Sequence, residues 1–202
     1  MKGLEVDNKL KIKVVLGSVR QGRIADKVWA WLEKQLAEFG KFDIELLDLK
    51  QINLPIFNES NYPAQGLPHE TEAARSWSAK MAEADGYIIV TAEYDHALPG
   101  ALRNAFDYLA NEWNKKAVGI VSYGAGAGGT RAAEGMKASL TYMETVVLPA
   151  EVNIPNVWAA FDENGGLLDN YSVAAQKMFA SLEWWAALLS EARAKLPAKS
   201  NV

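Results

Sequence analysis

Leu16-Gly17-Ser18-Val19-Arg20-Gln21-Gly22-Arg23 is the stretch on which the fold turns. An apolar run, Ile12 to Leu16, leads into it and reads as a buried strand. A segment of helical periodicity, Ile24–Phe39, leads out of it, with Val28, Leu32, Leu36 and Phe39 on one face. A strand, a small-residue loop and a helix start form a receptacle for an anion. Gly17 and Gly22 allow a tight turn and close backbone approach. The first N–H groups of the helix and its dipole favour negative charge. Ser18 adds a hydroxyl donor, and Arg20 and Arg23 add charge-assisted donors. The competing reading is an ordinary strand-to-helix loop with two solvated arginines.

The rest of the chain repeats the alternation. Strands are expected at Leu10–Leu16, Ile44–Leu49, Gly86–Thr91, Ala117–Ser122 and Val146–Ile154, the last interrupted at Pro149. Helices are expected at Glu70–Glu83, from Pro99 to about Glu112, at Arg131–Tyr142 and at Val173–Lys195, with Gly40 closing the first helix. Asn53 to Pro68, with Pro55, Pro63 and Pro68, reads as a long loop, and loops of that length are usually functional. Short strands that are apolar throughout are buried on both faces, so the pattern predicts an α/β fold with a parallel sheet between helix layers. The expected organisation is a leader over 1–9, one domain over 10–196 and a frayed tail over 197–202.

Composition narrows the function. A chain of 202 residues, half of them hydrophobic, suits one globular domain. A formal net charge of -4 argues against non-specific nucleic-acid binding. Cysteine is absent, which removes disulfides, thiol nucleophiles and thiolate metal sites. His69 and His96 show no ligand spacing, so no metal site is expected. No apolar run reaches the roughly 18 residues of a membrane span. The expectation is a cytoplasmic protein with no membrane partner.

In parallel sheets of this kind, ligands sit outside the carboxyl ends of the strands where the strand order switches. Two more loops belong there. Ala92-Glu93-Tyr94-Asp95-His96 follows the third strand and brings hydrogen-bonding groups and an aromatic ring. Arg103, Asn104 and Asp107, further along, read as helix-surface or interface residues, and His96 as structural or interfacial. Ser122-Tyr123-Gly124-Ala125-Gly126-Ala127-Gly128-Gly129 follows the fourth strand. Gly124, Gly126 and Gly129 match a dinucleotide fingerprint, but it stands after the wrong strand, and Glu144 precedes a strand instead of closing one. A bare backbone wall suits the edge of a flat aromatic ligand equally well.

Together the three loops resemble the NAD(P)H-dependent FMN reductase family, over most of Lys11 to Tyr142. The resemblance rests on Gly17, Ser18, Arg20, Gly22 and Arg23, on Glu93, Tyr94, Pro99, Gly100, Leu102, Asn104, Ala105 and Asp107, and on the glycine-rich third loop. Ala92 stands where the family has proline, Asp95 where it commonly has asparagine, and Arg103 where it has lysine. The resemblance implies a flavodoxin-like three-layer fold with strand order 2-1-3-4-5. It implies that Ser18, Arg20, Gly22 and Arg23 hold the phosphate of FMN. By the same resemblance Ala92, Glu93, Tyr94 and Asp95 line the ring's pyrimidine edge, mainly through backbone, and Ser122, Tyr123, Gly124 and Gly128 close the opposite side.

The activity so implied takes hydride from NADPH or NADH and delivers electrons to a small acceptor: a quinone, an azo or nitro compound, a metal oxyanion or free flavin. The two substrates would use one site in turn, with no side chain needed as acid or base. Two rivals remain: a flavodoxin-type electron carrier without turnover, and a flavin-less relative that binds a partner. Arginines in the phosphate loop and the modest net charge count against the first. Seven tryptophans and the broad apolar surface of the last helix, with Trp184, Trp185 and Leu188, point to a homodimer or homotetramer with the Pro99–Glu112 helix in the contact.

Overall fold

A computed structural model describes residues 9–167 and 171–196. All of the expected leader but Lys9, and the whole expected tail, lie outside the described residues. The elements run β1 (Leu10–Leu16), α1 (Ala25–Phe39), β2 (Phe42–Asp48), a short α2 (Leu49–Ile52), α3 (Glu72–Ala82), β3 (Gly86–Ala92), α4 (Gly100–Asp107), β4 (Ala117–Tyr123), α5 (Thr130–Tyr142), β5 (Val146–Val147), β6 (Val152–Ile154) and α6 (Ser172–Ala194).

The sheet is parallel, in the order β2-β1-β3-β4-β5, with β6 also paired to β4. Every residue of β3 and β4 is buried, as expected of central strands covered on both faces. Alternate residues feed two cores. Val14 joins Val28, Leu32, Phe179 and Leu182 under α1 and α6. Val15 joins Trp77, Leu102, Phe106 and Met136 under α3, α4 and α5. The fold is the three-layer, flavodoxin-like one, with five strand positions in the order 2-1-3-4-5. The fifth position is shared by β5 and β6, broken around Pro149, which has no N–H for the ladder.

The second strand starts two residues earlier than expected, at Phe42, and two helix boundaries differ for visible reasons. The helix after Pro99 ends at Asp107, and a 3-10 turn, Asn111–Trp113, follows. Trp113 is fully buried, with its ring 4.7 Å from Tyr87 and 5.2 Å from Phe106, and the Tyr87 hydroxyl donates to the Glu112 carbonyl at 2.7 Å. Burial of that indole takes the chain off the helix axis. The third helix starts at Glu72 because Thr71 caps it, its Oγ1 accepting from the Ala74 N–H at 3.2 Å. No helix among the described residues is long and apolar enough to cross a membrane.

Candidate functional site

The strand order reverses between β1 and β3, which places the loops after β1, β3 and β4 side by side at the carboxyl edge of the sheet. The first loop leaves the ladder at Gly17, whose N–H donates to the Val90 carbonyl at 2.9 Å. From Ser18 to Gly22, no backbone N–H donates to a protein acceptor among the described residues. Gly22 takes φ +63° with open space where a Cβ would stand. Arg20 is exposed, with one contact from Nη2 to the Gly22 carbonyl at 3.3 Å.

Arg23 behaves differently from Arg20. Its guanidinium is buried and all five N–H donors are engaged. Nη1 donates to the Ser18 carbonyl at 2.6 Å and to Asp48 Oδ1 at 2.6 Å. Nη2 donates to Asp48 Oδ2 at 2.7 Å and to Asp26 Oδ1 at 2.7 Å, and Nε to Asp26 Oδ1 at 3.0 Å. The hydrogen bonds to Asp48 raise the guanidinium pKa further. Burial works to raise the Asp48 carboxyl, but the hydrogen bonds from Arg23 and the Lys50 N–H outweigh it and hold it below the usual carboxylate range. Expected as a phosphate ligand, Arg23 instead ties the loop to the end of β2 and the start of α1.

The second loop is a tight hairpin. Tyr94 and Ala97 exchange both backbone hydrogen bonds at 2.9 Å. Asp95 and His96 between them take φ +50° and +64°. Two consecutive residues at positive φ make a type I′ turn, which favours asparagine and glycine. Asp95 tolerates that region better than most residues, and both side chains are exposed. Ala92 is buried at the end of β3. Glu93 turns away from the loop tip: its Oε1 accepts from Arg131 Nε at 2.8 Å and its Oε2 from the Arg131 N–H at 3.1 Å, in the first turn of α5. The Tyr94 hydroxyl lies 2.6 Å from Ser18 Oγ, on the first loop.

The third loop is tied partly to itself and partly to β6 and α5. The Gly124 N–H donates to Ile154, Gly128 to Ala125 and Thr130 to Ala127, at 3.2, 2.9 and 3.1 Å. Ser122 Oγ donates to the Gly128 carbonyl at 2.8 Å and receives Asn153 Nδ2 at 2.8 Å. Gly129 takes φ +83°, and a Cβ there would stand 2.6 Å from the Tyr123 nitrogen. Tyr123 is buried, and burial, with Tyr94 adding to it, pushes its phenol well above the ordinary range while Ser18 works the other way.

Against known proteins, the profile of the family described as NADPH-dependent FMN reductase matches residues 10–159. The chain belongs to that family. It is 38% identical over 151 residues to an NAD(P)H-dependent FMN reductase of Nectria sp., covering 72% of this chain and 75% of that one. It is 30% identical over 169 residues to a 2-hydroxy-1,4-benzoquinone reductase of Burkholderia sp., covering 79% and 86%. Among solved structures, the flavoenzyme NAD(P)H:(acceptor) oxidoreductase FerB of Paracoccus denitrificans superposes with a TM-score of 0.66 at 20% identity, over 90% of this chain and 98% of that one, a likeness of fold.

In this member of the FMN reductase family, Ser18, Arg20, Gly22, Tyr94, Asp95, Gly124 and Gly128 stand in the three adjoining loops and Ala92 and Tyr123 are buried at the strand ends that lead into them, while Arg23, Glu93 and Ser122 brace those loops from behind. Sequence reasoning missed four braces: Asp26, Asp48, Arg131 and Asn153. An acidic residue ending an apolar strand, as Asp48 does, was the one available signal. It also took Asn104 for a surface residue. Asn104 Oδ1 accepts from the Phe57 N–H at 2.8 Å and Nδ2 donates to the Pro55 carbonyl at 2.7 Å, so it anchors the long loop after β2. That loop is closed further by a buried pair, His69 Nδ1 to Glu59 Oε2 at 2.6 Å.

Proposed function

We propose that this chain is a cytoplasmic, homo-oligomeric FMN enzyme that takes hydride from NADPH or NADH and reduces a small flat acceptor such as a quinone. The observation that carries the reading is the Ser18–Gly22 loop: a run of backbone N–H groups without protein acceptors, beside the exposed Arg20 guanidinium. That donor set fits one phosphate monoester, with backbone donors on the anion and an exposed arginine at its rim. One such loop suits the single phosphate of FMN. When bound, FMN supplies the two-electron hydride chemistry.

The chain's own residues bind and orient. Ser18 to Gly22 and Arg20 hold the phosphate. Arg23 takes part through the backbone it fixes, by its bond to the Ser18 carbonyl. The Ala92–Asp95 backbone borders the ring's polar edge, and Tyr123, Gly124 and Gly128 close the far side, braced by Ser122. No side chain of the three loops needs to move a proton, since the site opens to solvent. Quinones as acceptors draw support from the Burkholderia relative. Visible flavin absorbance in the purified protein, FMN and not FAD on denaturation, and parallel double-reciprocal lines with NADPH and a quinone are expected. Bound FMN without turnover would favour an electron carrier, and a colourless protein that takes up no FMN a flavin-less binding relative.

The assembly reading draws on two faces. Tyr62 and Tyr142 are exposed beside a depression of about 380 Å³ lined by Arg103, Phe106 and Asp107 of α4. Trp184 and Leu188 of α6 are exposed as well. Exposed aromatics are enriched at interfaces. Light scattering at micromolar concentration tests this, and a monomer mass would overturn it.

A further inference from the structure

Two of the seven tryptophans are more than half exposed, Trp158 at 69% and Trp184 at 53%. Trp184 lies edge-on to Trp185, with ring centroids 4.8 Å apart. Trp158 meets no other aromatic ring among the described residues. It stands on a built mount at the carboxyl edge of the sheet. The chain leaves β6 at Ile154, takes φ +45° at Asn156 and forms a 3-10 turn, Val157–Ala159. The Asn156 N–H donates to the Ala125 carbonyl at 3.0 Å, the Val157 N–H to the Gly124 carbonyl at 3.1 Å and the Gly124 N–H to the Ile154 carbonyl at 3.2 Å. Val157 is buried in the core under α1 and α6. The backbone that carries the indole is therefore fixed to the third loop, where Ala125, Gly126 and Ala127 have N–H groups without a protein acceptor among the described residues.

We propose that Trp158 is a specificity residue for the acceptor: its indole takes the outer ring of a fused two-ring quinone, so the site prefers naphthoquinones to one-ring benzoquinones. The inference rests on the FMN reading above, in which the third loop borders the flavin ring. An acceptor of one ring is the size of the nicotinamide that precedes it and needs no surface but the flavin. A second fused ring needs further flat, apolar surface beside the third loop. Trp158 supplies it, since an exposed indole face stacks on a flat π-system without hydrogen-bond matching. A turn already held by backbone bonds presents that face with little ordering cost at binding.

The test titrates the oxidised, FMN-loaded protein, which has no electrons to give a quinone, with 1,4-naphthoquinone and with tetramethyl-1,4-benzoquinone. Flavin absorbance is followed for the wild type, Trp158→Ala and Trp158→Phe. Trp158→Ala should weaken naphthoquinone about threefold to tenfold, the size of one aromatic pair, and leave the one-ring quinone within about twofold. Trp158→Phe, which keeps an aromatic face, should retain most of the naphthoquinone binding. In turnover the loss in Trp158→Ala should fall on kcat/KM for naphthoquinone and not on kcat/KM for NADPH, which a general loss of structure would lower as well. Unchanged naphthoquinone affinity in Trp158→Ala, or equal losses for the two quinones, would overturn the proposal while the FMN reading stands. So would a smaller particle by light scattering in that variant, which would mark Trp158 as a contact between copies. A wild type that takes up no FMN would sink both.

Discussion

The loops after β1 and β4 look alike in sequence, since both are rich in glycine and both lead from a buried strand into a helix. In the structure they differ in how they are held. The loop after β1 keeps its N–H groups from Ser18 to Gly22 clear of protein acceptors. The loop after β4 pairs the N–H groups of Gly124 and Gly128 with the Ile154 and Ala125 carbonyls, and leaves those of Ala125, Gly126, Ala127 and Gly129 without a protein acceptor among the described residues. The first is held by side chains from outside, through the five donors of Arg23, and the second by its own backbone and by Ser122. Glycine content therefore says that a chain can approach a ligand closely, not how the loop is held in place.

The largest expected effect falls on the Arg23 brace. Arg23→Met should cost about 3–5 kcal/mol of stability, because it leaves the buried Asp48 carboxylate without its partner. Arg23→Met with Asp48→Leu should recover much of it. Acid gives a second measure. The folded pKa of Asp48 is lowered, so its stabilisation is fully present above the unfolded value of about 3.9 and is lost as pH falls through the folded value. Asp48→Asn should lack that acid step in a pH series of urea unfolding curves.

Next comes the loop after β4. Gly129→Ala combines left-handed strain with a Cβ 2.6 Å from the Tyr123 nitrogen. A loss of about 3 kcal/mol is expected, from strain and overpacking of about 1–3 kcal/mol each. Gly126→Ala, which meets open space, should stay within about 0.5 kcal/mol. Equal costs at the two glycines would break the contrast drawn between crowded and open backbone.

Arg20→Ala sharpens the contrast from the other side. It should leave stability within about 0.5 kcal/mol yet weaken FMN by about 1.5–3 kcal/mol, read by isothermal titration. An Arg20→Ala protein with unaltered FMN affinity would show that the open loop does not serve the phosphate. The smallest effect is expected at the hairpin tip. On the proposed site, Asp95→Asn removes a carboxylate from the ring's border and supplies the residue type that the turn prefers, so FMN affinity or the flavin midpoint potential should rise. The gain should shrink in high salt, since Asp95 is exposed. No change in either quantity would place Asp95 away from the ring.

The parallel sheet between helix layers, the two-sided core and the three loops at the carboxyl edge were legible in the chain itself, and the strand order through the family resemblance. Period and burial follow from local pattern: fully apolar runs such as Gly-Tyr-Ile-Ile-Val-Thr at 86–91 have no side that tolerates water. The family was legible for a related reason, because the loop residues that carry it are contiguous in sequence. What the tertiary structure alone decided is which of those residues face a ligand and which hold the loop. Arg20 and Arg23 are three residues apart and chemically identical, yet one is exposed and the other is locked to Asp48, 25 positions away. Glu93 and Arg131 meet across 38 positions, and Ser18 and Tyr94 across 76. A hydrogen bond depends on ångström distances between atoms that the sheet brings together, and no local pattern of residue types encodes the direction in which a long side chain finds its partner.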